Sequence, residues 1–232
     1  MEPVAAIRGA GRDYRGRAVL DAVDLDVDPG EVLGLIGPNG GGKTTLLLLL
    51  AGLVRPTRGT VTVAGVDASA LAEASAGVVG LITAEPGLYP ALTGRENLAF
   101  FGALHGRSPA EVDAACLPLL QELEVDARVL DQRASTYSSG TRQKVSLARA
   151  LSSSPRLLLL DEPTSNLDPV SAQLVHRAVR ARADAGVAVV LATHDLFAAE
   201  HVCDRVIPVA GRLGPPIVPT GERRPPPTRP LT

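Results

Sequence analysis

The stretch "EVLGLIGPNGGGKTT", residues 31–45, restricts the possible folds more than any other part of the chain. A short apolar run enters a loop with G-x-x-x-x-G-K-[ST] spacing at Gly37, Gly42, Lys43 and Thr44, and the helical pattern "TTLLLLLAGLV" leaves it. This strand, loop, helix order predicts a phosphate-binding loop at the carboxyl end of a sheet strand. Gly40, Gly41 and Gly42 allow the backbone to curl so that successive N–H groups point inward and form a nest for a β-phosphate. Lys43 then reaches the β- and γ-phosphates, and the Thr44 hydroxyl is a hard oxygen ligand suited to Mg²⁺. The helix after Lys43 is apolar all round but too short to cross a bilayer, which fits a buried core helix.

Around this loop the chain alternates β-like and helical patterns. "VAAI", "AVLDAVDLDV", "TVTVAG", "VVGLIT", "RLLLLDE", "VAVVLATH" and "DRVIPVAG" read as strands of a layered α/β domain. "RLLLLDE" and "VAVVLATH" are apolar almost throughout, as strands buried on both faces are. Between Thr93 and about Ser154 the strand signals disappear, and "TGRE" and "SPAE" each place Glu three residues after Thr or Ser, two capping boxes that open helices. We therefore expect one domain over residues 1–212 with a helical insert at about 93–154. The proline-rich residues 213–232 are expected to be a disordered tail.

Two further stretches carry chemistry. "RLLLLDEP" puts Asp161 and Glu162 at the end of a buried strand, where Asp161 is placed to hold a water of the magnesium shell and Glu162 to orient or deprotonate an attacking water. "TYSSGTRQ", residues 136–143, is a small-residue turn opening a helix, and an exposed helix start attracts an anion. Nothing nearby in the sequence supplies that anion.

The composition excludes other classes. A formal net charge of −2 with interspersed signs offers no basic surface for duplex nucleic acid, so no nucleic-acid partner is expected. Cys116 and Cys203 lie far apart without metal-type spacing, which suits buried reduced thiols in a cytosolic protein. The amino terminus has no charged-then-apolar leader, and no apolar run reaches the length of a membrane span. His105, His176 and His201 fall on helical patterns and are assigned no chemistry, and the N-x-K-D sequence that reads guanine is absent, which leans toward ATP.

With "GPNGGGKTT", "TYSSGTRQKVSLARAL", "LLLLDEPTSNLDP" and "LATHD" in this order, residues 4 to 212 resemble the nucleotide-binding subunit of ATP-binding cassette (ABC) transporters, most of all exporter-type cassettes. The resemblance implies a P-loop NTPase core, α/β with a mixed sheet and flanking helices, plus an N-terminal antiparallel β region and a helical subdomain. It implies a Walker A loop of Gly37, Pro38, Asn39, Gly40, Gly41, Gly42, Lys43, Thr44 and Thr45 around ATP and Mg²⁺. Asp161 and Glu162 match Walker B, Asn166 to Asp168 the D-loop and His194 the switch histidine, and Tyr14 matches the aromatic that stacks on adenine. Ser138, Ser139, Gly140 and Thr141 match the signature motif, which in this family caps the γ-phosphate held by a second cassette paired head to tail. The missing anion of "TYSSGTRQ" then belongs to the neighbour.

The resemblance further implies an ATPase that drives a separate transmembrane permease, for export more than import, from the inner face of the cell membrane. The working pair would be a homodimer or a dimer with a paralogous cassette. One position departs from the family. Where relatives carry a glutamine that reaches Mg²⁺ and the attacking water, the alignment puts Ala84, beside Glu85 as a substitute metal ligand. Slow hydrolysis is the expectation. A soluble cassette ATPase outside transport, or a nucleotide-gated regulatory subunit, remain alternatives at this point.

Overall fold

The computed structural model describes residues 2–71, 77–85 and 87–219. Strands β1 (Ala5–Tyr14), β2 (Arg17–Val27), β4 (Arg58–Val63) and β5 (Val66–Asp67) form an antiparallel sheet in the order β2-β1-β4-β5. Strands β3 (Val32–Ile36), β6 (Val79–Ile82), β7 (Leu157–Asp161), β8 (Ala188–Ala192) and β9 (Arg205–Pro208) form a parallel sheet in the order β6-β7-β8-β3-β9. The helices are α1 (Lys43–Leu50), α2 (Gly94–Leu104), α3 (Pro109–Glu122), α4 (Ser139–Leu151), α5 (Pro169–Asp184) and α6 (Leu196–His201). The two-residue β5 carries no pattern long enough to read from sequence.

The apolar runs are explained by which face each residue meets. Leu157 and Leu159 of β7, and Ala188 and Val190 of β8, pack with Leu46, Leu47, Leu49 and Leu50 of α1 and with the inner face of the antiparallel sheet. Leu158 and Leu160, with Val189 and Leu191, point to the opposite face and pack against Val112, Cys116, Leu119 and Leu120 of α3 and Val175 and Val179 of α5. Successive strand residues alternate faces, so two cores of unrelated partners both demand apolar side chains, and the one polar position is Asp161 at the end of β7. Every residue of β7 and β8 is buried.

The insert is helical from α2 to α4, and both capping boxes form. Thr93 and Ser108 accept from the N–H groups of Glu96 and Glu111, whose carboxylates accept from the N–H groups of Thr93 and Ser108 in return. The carboxyl end departs from expectation. Leu213 bridges Val209, and Ile217 exchanges both backbone hydrogen bonds with Val206 at 2.8 Å, so the chain adds to the edge of β9 instead of being disordered from residue 213. The segment 216–218, Pro-Ile-Val, interrupts the prolines long enough to satisfy that edge. Residues 220–232 of the expected tail lie outside the described residues. Among the described residues no helix is long and apolar enough to cross a membrane.

Candidate functional site

The parallel order places three loop starts along one carboxyl edge: the turn after β7, the turn after β8 and the loop after β3. β8 lies between the other two strands, so the Walker B strand is not the direct neighbour of the P-loop strand. The gap is bridged by a side-chain contact. The Thr44 hydroxyl donates to Asp161 Oδ2 at 2.7 Å, a bond between residues 117 positions apart. Burial raises the Asp161 carboxyl above its ordinary pKa, the neighbouring Glu162 charge adds to this, and the Thr44 bond and Lys43 oppose it. A buried carboxylate and a hydroxyl meeting at this edge form a hard-oxygen pair of the kind Mg²⁺ selects, so the residues present fit that ion.

The loop from Gly37 to Gly42 is held against the chain that leaves β9. The Val209 N–H donates to the Ile36 carbonyl at 2.7 Å, and the Gly211 N–H donates to the Gly41 carbonyl at 2.9 Å. At Gly37 a Cβ would lie 2.2 Å from the Val209 carbonyl oxygen, so no other residue fits without displacing backbone. At Gly42 the backbone is left-handed with φ 105°, and it ends the loop as the N-cap of α1 without any side-chain cap. The first N–H groups of α1 are therefore available to an anion. Lys43 Nζ donates to the carbonyls of Gly37 and Pro38 at 2.7 and 3.2 Å, closing the loop on itself where a phosphate would be cradled. The turn at Val209 to Gly211 was invisible to sequence reasoning, because its role comes only from contact with a loop some 170 residues earlier.

Beside this cradle, the Glu162 N–H donates to the Ala192 carbonyl at 2.9 Å, so Walker B and the end of β8 are locked in register. The Glu162 carboxylate meets His194 Nδ1 at 2.9 Å, and the Thr193 hydroxyl lies 3.5 Å away. Glu162 is the less exposed partner, its side chain 18% accessible against 69% for His194. Its backbone has φ 49°, an uncommon left-handed conformation for a non-glycine residue at a strand end. A carboxylate held near an imidazole can accept a proton from water or orient it.

The second cluster forms elsewhere. Ser138 is the N-cap of α4, and its hydroxyl accepts from the Thr141 N–H at 3.1 Å and lies 2.9 Å from the Thr141 hydroxyl. The Ser139 hydroxyl donates to the Asn166 carbonyl at 3.4 Å, tying this helix start to the stretch that leads to Asp168. Asp168 caps α5 through the N–H groups of Val170 and Ser171, with Pro169 in the first turn. Among the described residues no hydrogen bond joins Ser138, Ser139 or Thr141 to the loop at Gly37–Thr45. The single chain thus does not bring the two predicted phosphate sites together.

Tyr14 lies at the tip of the β1–β2 hairpin, 38% exposed. The structure puts Ala84 in an exposed bend two residues past β6, with the Thr83 hydroxyl donating to the Glu85 carbonyl at 2.6 Å. Among the described residues no group of three or more His, Cys, Asp or Glu side chains converges to hold a metal.

Comparison with known proteins fits this arrangement. Residues 20–165 match the ABC transporter family. The chain is 41% identical over 216 residues to the lipoprotein-releasing system ATP-binding protein LolD 2 of Caulobacter vibrioides, covering 89% of this chain and 94% of that protein. It is 37% identical to the uncharacterized ABC transporter ATP-binding protein YdbJ of Bacillus subtilis, across 89% of this chain. It is 36% identical to the Nod factor export ATP-binding protein I of Rhizobium etli, across 86% of this chain. It spans 66% and 63% of the length of these last two relatives. An ATP-binding subunit of an ABC transporter superposes with a TM-score of 0.86 at 30% identity, covering 93% of this chain and 90% of that one. A cassette solved as a dimer in a post-hydrolysis state with ADP and Pi superposes with a TM-score of 0.83 at 25% identity, covering 94% and 99%.

Proposed function

The chain belongs to the ABC transporter family of ATP-binding cassettes, and from that premise we propose that it binds and hydrolyses ATP to power transport through a separate transmembrane permease. The observation that carries this reading is the 2.7 Å bond between Thr44 and Asp161, which joins the P-loop helix to the end of β7 beside the Glu162–His194 pair. Phosphate cradle, hard-oxygen pair and general base then line one sheet edge.

In this reading the α1 N–H groups and Lys43 bind the β- and γ-phosphates, Thr44 and Asp161 hold Mg²⁺, and Tyr14 receives the adenine. Mg²⁺ when bound neutralises charge on the terminal phosphates. Glu162 orients a water and accepts its proton as the water oxygen bonds the γ-phosphorus. The bond from that phosphorus to the bridging oxygen breaks, and ADP and phosphate are released. His194 holds Glu162 and the water in line.

Two such chains, or this chain and a paralogue, pair head to tail, so that Ser138 to Thr141 of one close over the γ-phosphate lying on the other. Asp168 then lies near the seam. A dimeric relative bound to ADP and Pi supports the pairing. The lipoprotein-releasing and Nod factor export names of two relatives favour export over import. The chain would then work at the cytoplasmic face of a membrane, coupled to its permease through residues 84–92 and the helical insert. A second reading, a slow or regulatory cassette, is favoured by one observation: Ala84 stands in the exposed bend where the family carries glutamine.

The test is Glu162→Gln. With ATP and Mg²⁺ this variant accumulates as a stable dimer with bound ATP, because nucleotide and partner stabilise each other by mass action. Size exclusion that shows only monomer under those conditions removes the proposed role of Glu162.

A further inference from the structure

The base-binding end of the site rests on Tyr14, and Tyr14 is not alone. Arg12, two residues earlier on β1, lays its guanidinium over one face of the ring with Cζ 4.6 Å from the centroid. Alternate strand residues share a face, so the pair is built into the strand geometry. The guanidinium is fixed from behind: Arg12 Nη1 donates to the Arg55 carbonyl at 2.9 Å, in the loop that follows α1. Its Nε is buried and has no hydrogen-bond partner among the described residues, so the aromatic face is what this part of the cation gains for its lost water.

The β1–β2 hairpin brings the pair near the phosphate cradle, with a register shift between Arg12 and Asp13. Arg12 is opposite Leu20 and Tyr14 is opposite Arg17 across the β1–β2 hairpin. A Cβ on Gly42 would lie 2.7 Å from the Leu20 side chain and 3.2 Å from the Val19 carbonyl, so this strand roofs the start of α1. Strand pairing beside Leu20 and the side-chain bond to the Arg55 carbonyl thus place Arg12 near both ends of the P-loop helix.

The geometry assigns Arg12 as the positioning residue of the base platform: it occupies one face of Tyr14, holds the ring in a single orientation, and leaves the other face as the only one a purine can stack on. The inference rests on the reading that Tyr14 receives the base. A cation on the far face also draws π density away from the stacking face, which favours an electron-rich base there.

The experiment uses the whole chain with Mg²⁺ and two probes, ATP and inorganic tripolyphosphate, which carries the charge without the base. Arg12→Met is expected to weaken ATP binding by roughly three- to tenfold, to leave tripolyphosphate binding unchanged, and to raise KM with kcat unaltered. Arg12→Lys, which keeps a cation near the ring, recovers most of the loss. Equal weakening of both probes in Arg12→Met would mean a structural role only and overturns the inference. So does wild-type ATP affinity in Arg12→Met when Tyr14→Ala has lost it. Wild-type affinity in Tyr14→Ala itself fails the underlying reading, and the inference with it. If Arg12→Met does not fold, the ratio of ATP to tripolyphosphate affinity in Arg12→Lys decides: a ratio identical to wild type together with an unchanged ratio in Arg12→Gln overturns the assignment, and a lowered ratio in Arg12→Gln restored in Arg12→Lys supports it.

Discussion

Helices α1 and α4 begin without a carboxylate, whereas α2, α3, α5 and α6 each begin on one. Glu96 and Glu111 close the capping boxes of α2 and α3, Asp168 caps α5 and Asp195 caps α6. Glu96, Glu111 and Asp168 are held below the ordinary carboxylate range, chiefly by backbone N–H groups of their own helix starts. Those four starts have supplied their own anion. The starts of α1 and α4 have not, and an external anion is what the macrodipole and free N–H groups there accept.

The two exceptions also differ from each other. α1 has a glycine N-cap with no side-chain bond, and it carries Lys43 and Thr44 in its first turn and meets Asp161 of its own chain. α4 is closed by a neutral hydroxyl, Ser138, that already serves the Thr141 N–H. The first gathers a backbone cradle, a cation and a hard-oxygen pair within one chain. The second has only a neutral hydroxyl at its start, which in the proposed pairing meets its ligand on another molecule.

The largest effect should fall on the α1 start. Lys43→Ala is expected to lower ATP affinity on the order of a hundredfold, since a charged donor to phosphate is removed. Isothermal titration measures this, and unchanged binding removes Lys43 from the site. Ser138→Asp gives α4 the carboxylate it lacks. Monomer ATP binding should persist while ATP-dependent pairing is lost, because like charges then meet in the closed pair. Light scattering with ATP in a Glu162→Gln background reads this directly, and dimers formed as readily as without the substitution would end the contrast between the two helix starts.

Ala84→Gln should raise steady-state ATPase by roughly tenfold, the value of one charge-assisted hydrogen bond regained. It acts on the α1 side alone, so pairing should not change, and an equal or lower rate counts against the expectation of slow turnover. The smallest effect belongs to a helix start that is complete without ligand. Ser108→Ala should cost about 1 kcal/mol, a fall in melting temperature of about 2–4 °C for a chain of this size, with ATPase unaltered. A change in activity would show that α3 is coupled to the site.

Much of this was legible beforehand. The glycine spacing at Gly37 to Gly42, the two capping boxes and the doubly apolar runs of β7 and β8 are local or periodic signals, and each became the predicted element. Three things were not legible. The ordered pairing of Ile217 with Val206 contradicts the disorder expected from proline content, because two backbone hydrogen bonds at a sheet edge outweigh composition. The support of the P-loop by Val209 to Gly211 has no local signature. The placement of the Arg12 guanidinium over the ring of Tyr14 has no signature in the order of residues.

The sequence by itself determined a strand-loop-helix turn suited to a triphosphate, because backbone curvature, N–H direction and the Lys43 charge are encoded within nine consecutive residues, Gly37 to Thr45. Only the tertiary structure decided which distant groups share that edge. Thr44 meets Asp161, and Glu162 meets His194, because β8 aligns the ends of β7 and β3 on either side of it. Strand order is set by burying two unlike cores at once, a long-range condition that no local pattern of residues records.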